Sequence, residues 1–341
     1  MKHGVSGFVT SLILCVVQLT MAKPVRAEDS AWREVKIVVG AGAGGGYDIY
    51  GRLVAKHLGR FLPGSPRVII VNMPGANGMT AAAYMAANAR KDGSELFLGT
   101  QPLVLSQLFK KPGVRFDLRQ FHWIGNLSGS NTVTIVRTDA DVADVNAARS
   151  KETTMGSASP GSLGGIYPAL INNTLGTKFK VINGYNSGDA IDLALERGEV
   201  QGRSGVSWST LKSLRQDWLR DGSIKLLVQV GLAKSLDLAD TPLLLDLAKN
   251  DDDRAVIKLL SSLNAFTRAF LAPPGTPDYA TSALRNAFDS MIQDKEFLQN
   301  AHEMRLEIDP MSGKEIEAAA NALLDSPDHV IAQAKSYVDV E

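Results

Sequence analysis

The chain is most constrained by Gly40-Ala41-Gly42-Ala43-Gly44-Gly45-Gly46-Tyr47-Asp48, a glycine-rich turn with regular patterns on both sides. Before it, Val35-Lys36-Ile37-Val38-Val39 reads as a strand. After it, Ile49, Leu53, Val54, Leu58 and Phe61 recur at helical spacing. A strand that turns through glycines into a helix leaves several first-turn N–H groups without intrahelical partners. The helix dipole adds partial positive charge there, and glycine lets a ligand approach the backbone, so the junction suits a carboxylate or phosphate.

A second junction of the same kind follows. Arg67-Val68-Ile69-Ile70-Val71 is a β-branched run ending at Asn72. Met73-Pro74-Gly75-Ala76-Asn77-Gly78 comes next, and then an alanine-rich stretch, Thr80 to Ala89, of high helix propensity. Ligands of open α/β sheets bind outside the carboxyl ends of the strands, so two such loops side by side would make one pocket floor.

The N-terminus reads as an export signal. Lys2 is followed by a broken apolar stretch from Val9 to Leu19, and Val25-Arg26-Ala27 is a small-x-small cleavage site, with a cut after Ala22 as the rival. Residues 1–27 are therefore expected to be a signal peptide and the mature protein periplasmic. Cys15, the one cysteine, lies in this segment; a lipoprotein anchor there is disfavoured because Leu14 stands where a small residue is needed. Residues 28–341 would then contain no cysteine, which excludes disulfides, thiolate metal sites and cysteine nucleophiles. Three of the 36 basic residues, Lys2, Lys23 and Arg26, fall in the signal, leaving 33 against 36 acidic. Such a near-neutral surface with few aromatics argues against nucleic acid as a partner. No later apolar run approaches the roughly twenty residues of a membrane helix.

Strand and helix patterns alternate along the mature chain, predicting α/β architecture with mostly parallel sheets flanked by helices. Leu96-Phe97-Leu98-Gly99-Thr100 reads as a third strand and Leu103 to Phe109 as a short helix. Phe121 to Val136 reads as a long extended crossover between two lobes. A second α/β set follows, with strands at Thr153 to Gly156, Phe179 to Ile182 and Val200 to Val206 and a helix from Gly188 to Arg197. Ala265 to Ala272 is strand-like and would be the return crossover. Asp251-Asp252-Asp253 reads as a solvated turn, and Ser312-Gly313-Lys314-Glu315 fits the capping box of the last long helix.

Taken in order, these residues resemble a known family. The glycine loop with Asp48 and Arg52, Asn72-x-Pro74-Gly75-Ala76-x-Gly78, Asp92-Gly93, Leu98-Gly99-Thr100, Gly184-Tyr185, Ala194 to Val200 and Leu271-Ala272-Pro273-Pro274-Gly275-Thr276-Pro277 are similar to the extracytoplasmic solute receptors of tripartite tricarboxylate transporters, the Bug family. The resemblance covers nearly the whole mature chain. It implies a type II-like periplasmic binding protein, expected to be monomeric, with residues 28–130 and 265–341 in lobe 1 and 131–264 in lobe 2. Such a receptor closes on a small carboxylate, hands it to membrane permease subunits, and needs no cofactor.

Carried over residue by residue, the family's carboxylate grip falls on Gly44, Gly45, Gly46 and Tyr47 in the first loop and on Gly75, Ala76, Asn77 and Gly78 in the second. The second lobe would add Ser157, Ser159 and Ser162, with Tyr185 and Arg203 lining the cleft. Asp48 and Pro74 are expected to shape the loops: a carboxylate beside an anionic solute would repel it, so Asp48 is read as a helix cap, and Arg52 as a tie on the loop. Trp208 is read as lobe core. The prolines usual in the family's first loop are replaced by Gly40, Gly42 and Ala43, and an aspartate many relatives carry near Gly205 is absent. Arg203 stands close by and would favour a second carboxylate if it faces the cleft, or be a plain surface residue if it faces solvent.

Two enzyme readings compete. Gly40 to Gly45 satisfies the dinucleotide fingerprint of an NAD-dependent oxidoreductase, but the second strand ends in Val71-Asn72 where that fingerprint expects an acid. Ser157-Ala158-Ser159-Pro160-Gly161 narrowly misses the elbow of a serine hydrolase; only His302 and His329 follow it in the usual order, and neither sits in a motif. No metal-ligand spacing occurs among the histidines. No enzymatic activity is expected.

Overall fold

The computed structural model describes Met1 and residues 32–338; the expected signal segment and Cys15 lie outside the described residues. The first lobe begins as two strand–loop–helix units, β1 (Glu34–Val39) with α1 (Gly46–His57) and β2 (Arg67–Asn72) with α2 (Met79–Ala87). Then come β3 (Glu95–Leu98), α3 (Pro102–Leu108) and β4 (His122–Asn126). The second lobe contains β5 (Thr132–Arg137), α4 (Ala147–Ser150), β6 (Thr153–Gly156), α5 (Leu163–Leu175), β7 (Phe179–Ile182), α6 (Gly188–Glu196) and β8 (Gly202–Ser207). It continues through α7 (Trp208–Leu214), α8 (Gln216–Arg220), β9 (Ile224–Val230) and α9 (Asp251–Ser261). The chain returns through β10 (Ala269–Ala272), α10 (Asp278–Met291), α11 (Lys295–Glu303), β11 (Met311–Ser312), α12 (Gly313–Leu324) and α13 (Asp328–Val338).

The described strands form a six-stranded sheet in the order β11-β4-β10-β3-β1-β2 and a five-stranded sheet in the order β7-β6-β8-β5-β9. β1 pairs in parallel with β2 and β3, and β6 with β7 and β8. The other pairings are antiparallel, so the sheets are mixed rather than mostly parallel. A strand followed by a crossover helix runs toward the cleft, whereas β5 and β10, by which the chain arrives from the opposite lobe, start at the cleft and run away from it. Each therefore opposes its neighbours.

The return crossing also differs from a continuous strand. Ser262–Phe266 is a 3-10 turn, and only Ala269–Ala272 is sheet. Helical turn and strand are stitched to the outgoing crossover: the Leu127 amide donates to the Arg268 carbonyl (3.2 Å), and the Arg268 amide to Asn126 Oδ1 (2.9 Å). Gln101 Nε2 donates to Leu263 O, Asn264 Oδ1 and Thr267 Oγ1 at 3.0–3.1 Å, and Asn264 Nδ2 to Val230 O at 2.6 Å. With Trp123 packed on Phe266 (ring centroids 5.6 Å apart), one apolar cluster runs through the hinge into both lobes.

Two further expectations change. Asp251-Asp252-Asp253 is not a turn but the first turn of α9, capped by Asn250 Oδ1 accepting from the Asp253 amide at 2.7 Å; three carboxylates there complement the helix dipole. The last helix leaves the lobe to which residues 265–341 were assigned: α13 packs on α5 and α9 of the second lobe. Tyr337 Oη donates to Asp253 Oδ1 (2.9 Å), Asn173 Nδ2 donates to Tyr337 O (2.9 Å), and Ala334 and Val338 are buried. The expected capping box is present, Ser312 and Glu315 each accepting from the other's backbone amide.

α13 thus straps the second lobe from outside. Deleting residues 328–341 should lower unfolding free energy by about 3 kcal/mol or more, given roughly 1.5–3 kcal/mol for each large apolar side chain re-exposed. Denaturant unfolding checks this, and an unchanged midpoint would show that the strap contributes nothing.

Candidate carboxylate-binding cleft

β1 ends at Val39, and the chain turns through Gly40–Gly45 to open α1 at Gly46, with Gly45 as an extended N-cap that, lacking a side chain, leaves the first-turn amides uncapped by it. The loop is held from behind by Asp48, which is buried and lies in the first turn of α1. Its Oδ2 accepts from the Gly44 amide (2.9 Å) and from Arg52 Nε (2.8 Å), and its Oδ1 from Asn72 Nδ2 (3.0 Å). Asn72 Nδ2 also donates to Ala41 O (3.1 Å). Asp48 is thus a knot tying the first loop to α1 and to the end of β2 rather than an N-cap. Burial pushes its carboxyl up, but the donations from Arg52, Gly44 and Asn72 outweigh that and hold it below the ordinary carboxylate range.

The second loop is an unusual piece of backbone. Gly75, Ala76, Asn77 and Gly78 all have positive φ (137°, 45°, 55° and 93°), a conformation that Ala76 and Asn77 adopt at a cost. Thr100 Oγ1 donates to Asn77 O (2.6 Å) and steadies it; a Cβ on Gly78 would lie 2.5 Å from that hydroxyl. Facing these loops is the segment between β6 and α5. Ser157 Oγ and Ser162 Oγ lie 3.0 Å apart and both approach Ser159 O (2.9 and 2.8 Å), so the two hydroxyls share that carbonyl, while Ser159 Oγ crosses the cleft and donates to Asn77 Oδ1 (3.1 Å).

Between the lobes lies a cavity of about 550 Å³. Gly45, Gly46, Tyr47, Pro74, Gly75, Ala76, Asn77, Gly78, Ser159, Ser162 and Arg203 line it. Four sequence-derived candidates do not. Gly44 is spent on Asp48, and Asp48 stands behind the loop. Ser157 is fully buried inside its own turn. Tyr185 packs on the apolar core of the second lobe, its place at the cleft taken by Asn186 and Ser187. Trp208 is in that core too.

Arg203 faces the cavity, but its charge is already matched. It pairs with Asp192, which also binds Arg215 Nε at 2.9 Å, and Arg215 reaches Asp189 at 3.4 Å. A residue absent from the sequence-derived candidates stands out instead: Arg268, at the hinge, 3% exposed and part of the lining. Its Nη1 donates to Thr267 O (2.7 Å) and its Nη2 to Thr210 Oγ1 (3.0 Å); its Nε has no partner, and no carboxylate among the described residues pairs with it. The rings of Tyr47 and Tyr50 stand 4.8 and 4.5 Å from its guanidinium carbon. Burial pulls the guanidinium below its ordinary range and pushes both phenols up, so neither tyrosine supplies a countercharge.

The enzyme readings find no support in this geometry. The strand-end position at which a dinucleotide site holds its ribose is Asn72, occupied in tying the first loop. No histidine lines the cavity among the described residues. Among the described residues the one histidine–carboxylate cluster, His57 with Asp294 and Glu296, is already served by Arg60, which pairs with both acids (2.8 and 2.5 Å) and approaches His57 Nδ1 at 2.9 Å.

If Asp48 is the knot behind the loops, Asp48→Ala should cost about 2 kcal/mol, the scale of charge-assisted hydrogen bonds left unmade. The lowered carboxyl also fixes a sign: its contribution is complete above the unfolded pKa of about 4 and fades as pH falls through the folded value. Unfolding of wild type and variant across pH 2–7 should therefore converge at the acid end, and parallel curves would contradict the assignment.

Residues 51–333 match the family model described as the tripartite tricarboxylate transporter family receptor. A UPF0065 protein of Bordetella bronchiseptica is 39% identical over 113 residues, a match covering 32% of this chain and 32% of that relative, about a third of its length. Among solved structures, Rpa4515 of R. palustris with adipate superposes with a TM-score of 0.69 at 19% identity, covering 89% of this chain and 97% of that one. MatC of Rhodopseudomonas palustris with bound malate gives 0.66 at 18% identity, covering 90% and 99%. These two show the shared two-lobed fold, and with a family model spanning most of its length the chain belongs to the receptor family of tripartite tricarboxylate transporters.

Proposed function

We propose that this chain is a periplasmic receptor that closes its lobes on a small carboxylate and passes it to the membrane subunits of a tripartite tricarboxylate-type transporter. What carries the reading is the pair of glycine loops at the carboxyl ends of the adjacent parallel strands β1 and β2, facing a serine loop of the other lobe across one cavity. First-turn amides of α1 and the backbone of residues 75–78 offer neutral donors and helix-dipole charge to an anion, and the serine loop covers it. Two family-fold proteins that hold malate and adipate support a dicarboxylate-sized solute. On this reading residues 1–27 direct export, and the mature chain acts as a monomer without cofactor or covalent chemistry. None of the described helices is long and apolar enough to cross a membrane. On this reading the surface of the closed lobes makes the contact with permease subunits.

Lobe closure is the step that couples binding to recognition, since ligand contacts to both lobes shift the population toward the closed state. The Ser159–Asn77 bond spans the cleft and belongs to that state. Calorimetric titration of residues 28–341 with succinate, malate, adipate, citrate and benzoate should find a binder. Small-angle scattering at saturation should show compaction, and Asn77→Ala should weaken binding by about fivefold, the equivalent of roughly 1 kcal/mol for one hydrogen bond. Absence of binding across the panel, or binding without compaction, would contradict the proposal.

A further inference from the structure

We infer that Arg268 determines the charge specificity of the cleft, taking one carboxylate of the solute as its missing counterion against the first turn of α1. This rests on the carboxylate-receptor reading above and goes beyond the glycine loops, which would hold an anion through neutral amides alone.

Cavity-lining charge leads to this residue by elimination. Of the charged groups that line the cavity, Arg203 is matched by Asp192, and Asp189 and Asp192 are both paired with Arg215, which stands outside the lining. Arg268 is left with a carbonyl, a hydroxyl and two aromatic faces, and with an unpartnered Nε. A guanidinium withdrawn from water without an anion is costly, and stacking on two tyrosines offsets only part of that cost. Position points the same way. A Cβ on Gly46 would lie 2.8 Å from both Arg268 Nη2 and Thr210 Oγ1, so the guanidinium, the hydroxyl and the opening of α1 converge on one spot. Thr210 belongs to the second lobe and Gly46 to the first, so an anion there touches both lobes at the hinge and favours closure. A guanidinium offers paired N–H groups that match carboxylate geometry. The rest of the solute extends toward residues 75–78 and Ser159, where only neutral donors wait.

The test compares wild type, Arg268→Met and Arg268→Lys by calorimetric titration with an acid that the wild type binds, such as adipate or malate, and with its uncharged diamide. Arg268→Met should lose about 10- to 100-fold in affinity for the acid, the range expected when a charge-assisted bond is removed, and change little toward the diamide. Arg268→Lys should recover part of the loss. The ratio of acid to diamide binding is not moved by general damage to the fold. Because the unliganded protein carries an uncompensated buried charge, Arg268→Met without ligand should also melt at or above the wild-type temperature. Wild type that binds acids while Arg268→Met keeps the full acid preference overturns this assignment and leaves the receptor reading intact. Wild type that binds none of the acids overturns both.

Discussion

Asp48 puts two oxygens behind the first glycine loop and receives donors from Gly44, Arg52 and Asn72. The rest of the cleft depends on that arrangement. A run of seven residues from Gly40 to Gly46 containing five glycines has little reason to hold one shape, since glycine loses the most conformational freedom on ordering. Fastening Gly44 from within α1 and Ala41 from the end of β2 fixes the loop against both neighbours. α1 then opens at the cavity edge, and the second loop lies beside it, with Gly40 close under Gly78. A binding surface made of backbone gains its shape from a carboxylate that never touches the cavity.

The cleft separates its charges by lobe. On the second lobe, two arginines and two aspartates form a closed network that presents polar surface with little net charge. At the hinge a single guanidinium sits between two tyrosines without an acid. Neutral donors from two loops suit any carboxylate, whereas one uncompensated charge at a fixed point asks for an anionic group at a fixed distance along the solute. Capture and discrimination thereby fall to different parts of the site, and the discriminating part lies where the two lobes turn about each other.

Much of this was legible in the residues. Strand and glycine turn recur at both loops, followed by an amphipathic helix at the first and an alanine-rich one at the second, and the structure follows both closely. Ser312 and Glu315 announced their helix by capping chemistry that is purely local. The failures share a cause, which is that they depend on tertiary partners. Arg268 lies in an apolar run and read as part of a strand; only the fold brings Thr210, Tyr47 and Tyr50 around it. Tyr185 beside a glycine looked free to face a ligand, but the half-buried side chain packs against the apolar core of the second lobe. Nor does any local signal tell α13 that its partners are α5 and α9, residues 163–175 and 251–261, rather than the helices that precede it.

The most direct test of a carboxylate-binding cleft is a crystal structure of residues 28–341 grown with a saturating dicarboxylate, malate or adipate. The account predicts closed lobes, one carboxylate in contact with both the first-turn amides of α1 and the Arg268 guanidinium, and the solute reaching toward Asn77 and Ser159. A solute seated outside the cleft, or lying in it with its carboxylates away from both α1 and Arg268, would contradict it.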